Sequence, residues 1–472
     1  MMFSIRAIPV VAGLLVAGIA VAEVPKPPDP GRSKNFVYSM RSGSIRVKDD
    51  PMVNREHLKK VAQWLAFTIC QPPYNGEVPT EKLPPGIDRT MDGLIRGEMT
   101  TFVDLPIGGG TNGKPSQEQL EYSDEFGKAI ADAVKVVLDN SGKPIERINA
   151  VRLMSIAAKI PAPSLADPFL TIIKNENISE AEKLYAFQGL KNLLEQSDVN
   201  DVTRPIFPGS AGTAKLGEIG IALNDYVMKK RTPKDEKERQ VIEFIRRDAV
   251  AALARFKDAV LRKPNRDVIF RPGWALARVM EMDPTVTPPF TAAERAEASI
   301  GFCQMKVDAE ENLDLAAYTM AKMLVIYARE ANLDSERASA TQSLPLLQWK
   351  ILSARWSYNL AVWREQMKTI PKGRNAELCG QIANLGIILL AQIEKNGASA
   401  ATGAEVQTIT NWAKDNPPKQ WALSQPANLF KDDAASILPF PAAPAPAPPV
   451  LKTPDPKATP PVDPKKGTTP KT

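Results

Sequence analysis

Leu165 to Gln196, LADPFLTIIKNENISEAEKLYAFQGLKNLLEQ, is the stretch on which the fold turns. Its first part, Leu165 to Asn175, carries apolar residues at helical spacing and stops at an Asn-rich break. Its second, Ser179 to Gln196, opens with Ser179-x-x-Glu182. In such a capping box the hydroxyl accepts from an orphan backbone N–H and the acid reaches back to the cap's own N–H. Two medium helices joined by a short link make an antiparallel pair, and neither can bury its apolar stripe alone.

The same periodicity continues on both sides. Helices are expected at Met52 to Cys70, Asp88 to Thr101, Ser116 to Asp139, Pro144 to Ile160, Gly217 to Lys230, Asp235 to Leu261 and Pro272 to Met282. They continue at Thr291 to Val307, Leu313 to Asn332, Ser343 to Met367, Asn375 to Lys395 and Glu405 to Asp415. Ser116-x-x-Gln119 and Thr291-x-x-Glu294 repeat the capping box, and Pro144, Pro272 and Pro345 sit where a first-turn proline sacrifices no hydrogen bond. Strand signals are confined to Ser44 to Val47 and Phe102 to Leu105, so a large sheet is not expected.

Four of these helices align with one another: RINAVRLMSIAAKI from Arg147, KLYAFQGLKNLL from Lys183, RRDAVAALARFK from Arg246 and RAEASIGFCQMK from Arg295. In each, a basic residue is followed three positions later by Ala150, Ala186, Ala249 or Ala298. Four further on comes Met154, Leu190, Leu253 or Phe302. A small residue one turn from a large one lets a neighbouring helix approach while the large side chain fills the gap. The spacing between units is uneven, and the charged segment Lys229 to Glu238 reads as an inserted loop.

Over roughly residues 116–307 this pattern resembles HEAT or armadillo-type helical repeats. The resemblance implies an all-α, α-solenoid-like stack of helix pairs with a concave binding surface, and it implies no catalytic residues. The expected organisation is a signal peptide over 1–22, a Pro-rich linker over 23–43, a helical-repeat domain over 44–310, a C-terminal bundle of longer helices over 311–437 and a disordered Pro/Ala/Lys tail over 438–472.

The ends support an address outside the cytoplasm. Arg6, the apolar run Ala7 to Ile19 and Ala20-Val21-Ala22 read as a cleavable leader, with cleavage after Ala22. No other stretch reads as long and apolar enough to span a bilayer. The tail from Pro439 holds 12 prolines in 34 residues, a composition that favours polyproline II and leaves little to bury. Of the formal charge of +6, four units belong to Arg6 and the tail, so the middle is nearly neutral and a nucleic-acid partner is not expected.

Composition also narrows the chemistry. His57 is the only histidine of the 472 residues, so no His-rich metal site or paired-His relay can be built in one chain. His57 itself is expected on the solvent side of its helix. Cys70, Cys303 and Cys379 allow at most one disulfide, of unspecified pairing. Gly108 to Lys114 has the G-x-x-x-x-G-K spacing of a phosphate loop, but Pro115 stands where Ser or Thr must ligate magnesium. No nucleophile motif or carboxylate pair stands out.

Trp349, Trp356 and Trp363 lie seven apart on one helix face, beside Leu352 and Leu360. They are either a core seam or an aromatic strip for a glycan or protein partner. The expectation is a secreted or periplasmic helical scaffold that binds a protein or envelope component, without catalytic residues, cofactor or metal. The alternative is an envelope glycan-active enzyme whose groove those tryptophans would line.

Overall fold

The computed structural model describes residues 23–72, 74–75, 91–104, 115–196, 206–282, 285–307, 312–338, 344–370, 375–396 and 402–418. The leader, the Gly108 to Lys114 segment and the proline-rich tail lie outside these residues. Among the described residues the chain is mostly helical, with almost no strand. The elements are α1 (Ser33–Arg41), α2 (Pro51–Thr68), α3 (Met91–Leu94), α4 (Thr100–Val103), α5 (Gln117–Asn140), α6 (Pro144–Ala157), α7 (Ala166–Lys174) and α8 (Glu180–Gln196). They continue with α9 (Gly209–Val227), α10 (Glu236–Leu253), α11 (Pro272–Met280), α12 (Ala292–Gln304), α13 (Leu313–Ala338), α14 (Leu344–Met367), α15 (Ala376–Asn396) and α16 (Thr402–Asp415).

The first turns explain why helices form where they do. Ser116, Ser179 and Thr291 each accept from the backbone N–H three residues on and donate their own backbone N–H to Gln119, Glu182 or Glu294. Asp50 and Asp235 cap α2 and α10 by accepting from Val53 and Glu238. Pro144 and Pro272 stand in first turns, and Pro345 is the second residue of α14.

Packing follows the aligned pattern. Helix α6 packs against α8, α8 against α10, α10 against α12, and α12 against α14. Helix α7 packs on α8 and α9, α9 on α10, and α11 on α12. Ahead of this series α2 packs on α5 and α5 on α6; after it α13, α14, α15 and α16 pack together. Ala150, Ala186, Ala249 and Ala298 are fully buried, and so, nearly, are Met154, Leu190, Leu253 and Phe302. The approach is close at Gly189, where an added Cβ would lie 2.2 Å from the Phe169 ring, and at Gly301, where it would lie 2.3 Å from the Ala254 Cβ.

The basic residue that opens three of the four aligned units ties its helix to a neighbour, while Lys183 pairs with Glu180 on its own helix at 3.2 Å. Arg147 on α6 reaches Glu182 of α8 at 2.9 Å, and Arg246 on α10 reaches Glu294 of α12 at 2.6 Å. In both links the carboxylate is the capping-box acid of the next helix in the series. Arg295 donates from Nε to the Met280 carbonyl at 2.8 Å, which ties α12 to the end of α11.

Several expectations are corrected. Phe102 and Val103 belong to α4, not to a strand, and Val47 opens a 3-10 turn over Val47–Asp49. Phe102 is held by burial, by stacking on Tyr38 at 5.1 Å and by the Tyr122 hydroxyl, which donates to its carbonyl at 2.9 Å. The strands that do form are β1 (Leu261–Arg262) and β2 (Val268–Phe270), an antiparallel hairpin pairing Leu261 with Phe270. Helix α10 ends at Leu253 rather than Leu261. Beyond it Lys306 N–H donates to Lys257 C=O, and Ala259 N–H to Lys306 C=O, so the backbone pairs with the end of α12 instead of continuing the helix.

The segment 23–43 contains α1 and is not extended throughout. Helix α1 lies over α2, which also corrects His57: its ring stacks on Phe36 at 4.2 Å, and its Nδ1 is 3.1 Å from the Ser33 hydroxyl. Val53, in the first turn of α2, is exposed. Helix α15 is, contrary to expectation, apolar and long enough to cross a bilayer by length and composition, with mean hydropathy 1.5 over Ala376–Lys395. It packs against α13, α14 and α16, burying Cys379, Ile382, Ala383, Leu389, Leu390 and Ile393.

Candidate functional site

The tryptophans of α14 form a seam between helices. Trp356 and Trp363 are fully buried, and Trp349 is 8% exposed. Tyr327 of α13 stands edge-on to Trp349 and Trp356 at 4.8 and 5.2 Å, and Phe302 of α12 meets Trp363 at 6.4 Å. The Tyr327 hydroxyl donates to the Trp349 carbonyl at 2.8 Å. Rings arranged this way join α12, α13 and α14 and are too buried to stack on a sugar; of the three, Trp349 alone is slightly exposed.

The three cysteines are buried. Burial pushes the Cys70 thiol up to about 12, and burial with the neighbouring Cys379 lifts Cys303 well above its ordinary range. Such thiols are poor nucleophiles at neutral pH. Among the described residues no group of His, Cys, Asp and Glu is arranged to hold a metal ion.

A continuous polar face runs instead across the series α6, α8, α10, α12 and α14. Asn192 of α8 donates to the Ser155 carbonyl of α6 at 2.9 Å, and the Arg152 guanidinium lies 5.8 Å from the Tyr185 ring. Gln188 of α8 donates to Asp248 of α10 at 3.1 Å, and Arg255 pairs with Glu195 at 2.7 Å. Glu297 of α12 takes a two-pronged bond from Arg355 of α14 at 2.9 and 3.1 Å, and Gln304 donates to Asn359 at 2.8 Å. Burial raises the Asp248 carboxyl, against the lowering effects of the Gln188 bond and of Lys191 and Arg247 nearby.

Large apolar side chains flank this face. On α10, Val241 and Phe244 are 46% and 52% exposed; on α14, Ile351 and Tyr358 are 52% and 71% exposed. Each pair lies on one side of its helix, in step with Asp248 and with Arg355 respectively. Helix α12 starts later than its neighbours, which leaves a cleft of about 330 Å³ over its first turn. Gln240, Phe244 and Arg247 wall it on α10; Gln348 and Trp349 wall it on α14; Ala292 and Ala293 form its floor.

Larger clefts of about 590 and 530 Å³ lie between α5 and α7 and between α7 and α9. Ion pairs cross the α7–α9 cleft: Lys215 joins Asp167 to Glu218, Lys174 joins Glu218, and Lys229 joins Glu176. Its charges are matched in this way, whereas the α10–α14 cleft presents an exposed ring and the Gln348 amide. The groups named on this face offer hydrogen bonds, ion pairs and apolar contact.

Phe244 and Tyr358 were readable in principle, because each is a large apolar residue off its helix's buried stripe. The Arg246–Glu294 link was not, because its two ends lie 48 positions apart. The chain matches no protein family, no curated protein and no solved structure.

Proposed function

We propose that this chain is a non-catalytic scaffold, a curved stack of helix pairs acting outside the cytoplasm, that binds a protein or envelope component across the α8–α10–α12–α14 face. The observation that carries the reading is the set of four exposed apolar side chains, Val241, Phe244, Ile351 and Tyr358, flanking a polar face. Apolar anchors surrounded by paired polar groups suit a recognition surface. The serial packing of α6, α8, α10, α12 and α14 supports the stacked architecture, and the leader-like N-terminus supports the address. Against the glycan-active alternative stands the burial of Trp356 and Trp363.

The test is crosslinking capture from envelope extract with the mature full chain and with its Ile351→Glu and Tyr358→Glu variants. Specific capture should be lost in the variants while their circular dichroism is unchanged. Capture by all three chains alike would place the partner elsewhere, and no specific capture by any would refute the reading.

A further inference from the structure

We propose that the cleft between α10 and α14 is a docking site for the chain's own proline-rich segment, Pro439 to Pro449. The chemistry of the cleft fits such an occupant. A polyproline II ligand has no internal hydrogen bonds, turns its carbonyls outward and presents ring ridges, so it is held by aromatic walls with side-chain donors between them. The cleft offers the half-exposed Phe244 ring on one wall and the slightly exposed Trp349 on the other, with the amides of Gln240 and Gln348 and the Arg247 guanidinium around a floor of alanine.

The segment PFPAAPAPAPPV supplies alternating proline and alanine, of which a few residues at a time suit a slot of about 330 Å³ while the rest pass over its open ends. Charge agrees with the fit. Lys452 follows the proline run, and Glu243 and Glu330 line the cleft.

Reach agrees as well. Trp412 near the end of α16 donates to Gln381 at 2.9 Å, and Asn375 just before α15 donates to Asp314 at 2.6 Å. The chain therefore leaves α16 near the Asp314 end of α13, whereas the cleft touches α13 at Glu330, about 24 Å along the helix axis at 1.5 Å per residue. The connection from Pro418 to Pro439 spans at most roughly 70 Å. Proline also limits the entropy lost on docking, since its φ is already fixed. Docking of this kind needs no external partner and is read by its own crosslink; because both readings use Phe244, a docked tail and an external partner would exclude one another at that ring.

The experiment places a photoreactive benzoyl group on the phenylalanine at position 244 of the mature full chain and maps the crosslinks by mass spectrometry. The expected product has monomer mass, forms independently of concentration, and joins position 244 to residues 439–452. Replacing Pro444, Pro446, Pro448 and Pro449 by glycine should lower its yield about tenfold, because glycine restores the chain entropy that proline removes. A crosslink confined to neighbouring helices, one of dimer mass, or a yield unchanged by the glycine substitutions would overturn the proposal.

Discussion

Removing the Glu294 carboxylate tests how α10 and α12 are locked together. Both side chains of the Arg246–Glu294 pair are fully buried. The guanidinium donates to the two carboxylate oxygens at 2.6 and 3.0 Å and to the carbonyls of Pro288 and Pro289 at 2.6 and 2.9 Å, and it lies 4.6 Å from the Phe290 ring. Glu294→Ala leaves a buried cation with two carbonyls and no counter-charge, which costs about 3–5 kcal/mol. It also removes the acceptor of the Thr291 backbone N–H, at 2.6 Å, and the lost cap adds about 1 kcal/mol. The expected total is about 4–6 kcal/mol. The double variant Arg246→Met/Glu294→Ala strands no charge and should cost less than the two single changes together, with a coupling of about 2–3 kcal/mol. Urea denaturation of the mature chain followed by far-UV circular dichroism measures all three. A loss below about 1 kcal/mol for Glu294→Ala, or single effects that simply add, would refute the reasoning.

Three further perturbations probe other parts of the fold. Gly301→Ala would place its Cβ 2.5 Å from the Ala254 Cα, so backbone must move; it should destabilise by about 1–2 kcal/mol net of its gain in helix propensity, while Gly380→Ala, with open space around it, should stabilise by up to about 1 kcal/mol. Equal thermal shifts for the two would contradict the packing described. Asp248 has a raised folded pKa because of burial. The unfolded chain therefore ionises first as pH rises, and stability falls above the ordinary carboxylate range. Asp248→Asn should raise the melting temperature at pH 7 and leave it unchanged near pH ~3; a shift of equal size at both would rule out the titration. Finally, Cys70, Cys303 and Cys379 should resist a neutral-pH thiol reagent in the native chain and react together on unfolding, as their burial and the elevated thiol of Cys70 require. Prompt labelling of any one under native conditions would contradict that burial.

Much of the helical layout was legible because its signals are local. A capping box spans four residues and a first-turn proline one, so Ser116, Ser179, Thr291, Pro144 and Pro272 marked helix starts without any knowledge of neighbours. The aligned alanines were legible for a related reason: a small residue on an apolar stripe has few uses besides close packing. Differences arise where distant contacts decide. Pro25 to Pro30 suggests a linker that would continue to residue 43, yet Phe36 finds His57 across α2, and α1 forms on that support. The links between helices are hidden in the same way. Arg147 and Arg246 stand out as pattern residues, and Glu182 and Glu294 as caps, but nothing in a one-dimensional reading joins the arginines to the acids. The exposed rings of the candidate face are legible only as positions off a buried stripe, whereas the regular tryptophan spacing serves the interior.

Helix α12 has three charged residues, Glu294, Arg295 and Glu297, among its first six, and every residue from Glu294 to Cys303 is buried. A helix covered on all sides has no face by which it can fray alone. Its amide protons should exchange with solvent only when α10, α11 and α14 separate from it, so the slowest clock in the molecule should tick there rather than in the far more apolar α15. Deuterium uptake by the peptides of α12 reads that clock directly, and faster uptake there than in α15 would mean that the charged helix is not the last to open.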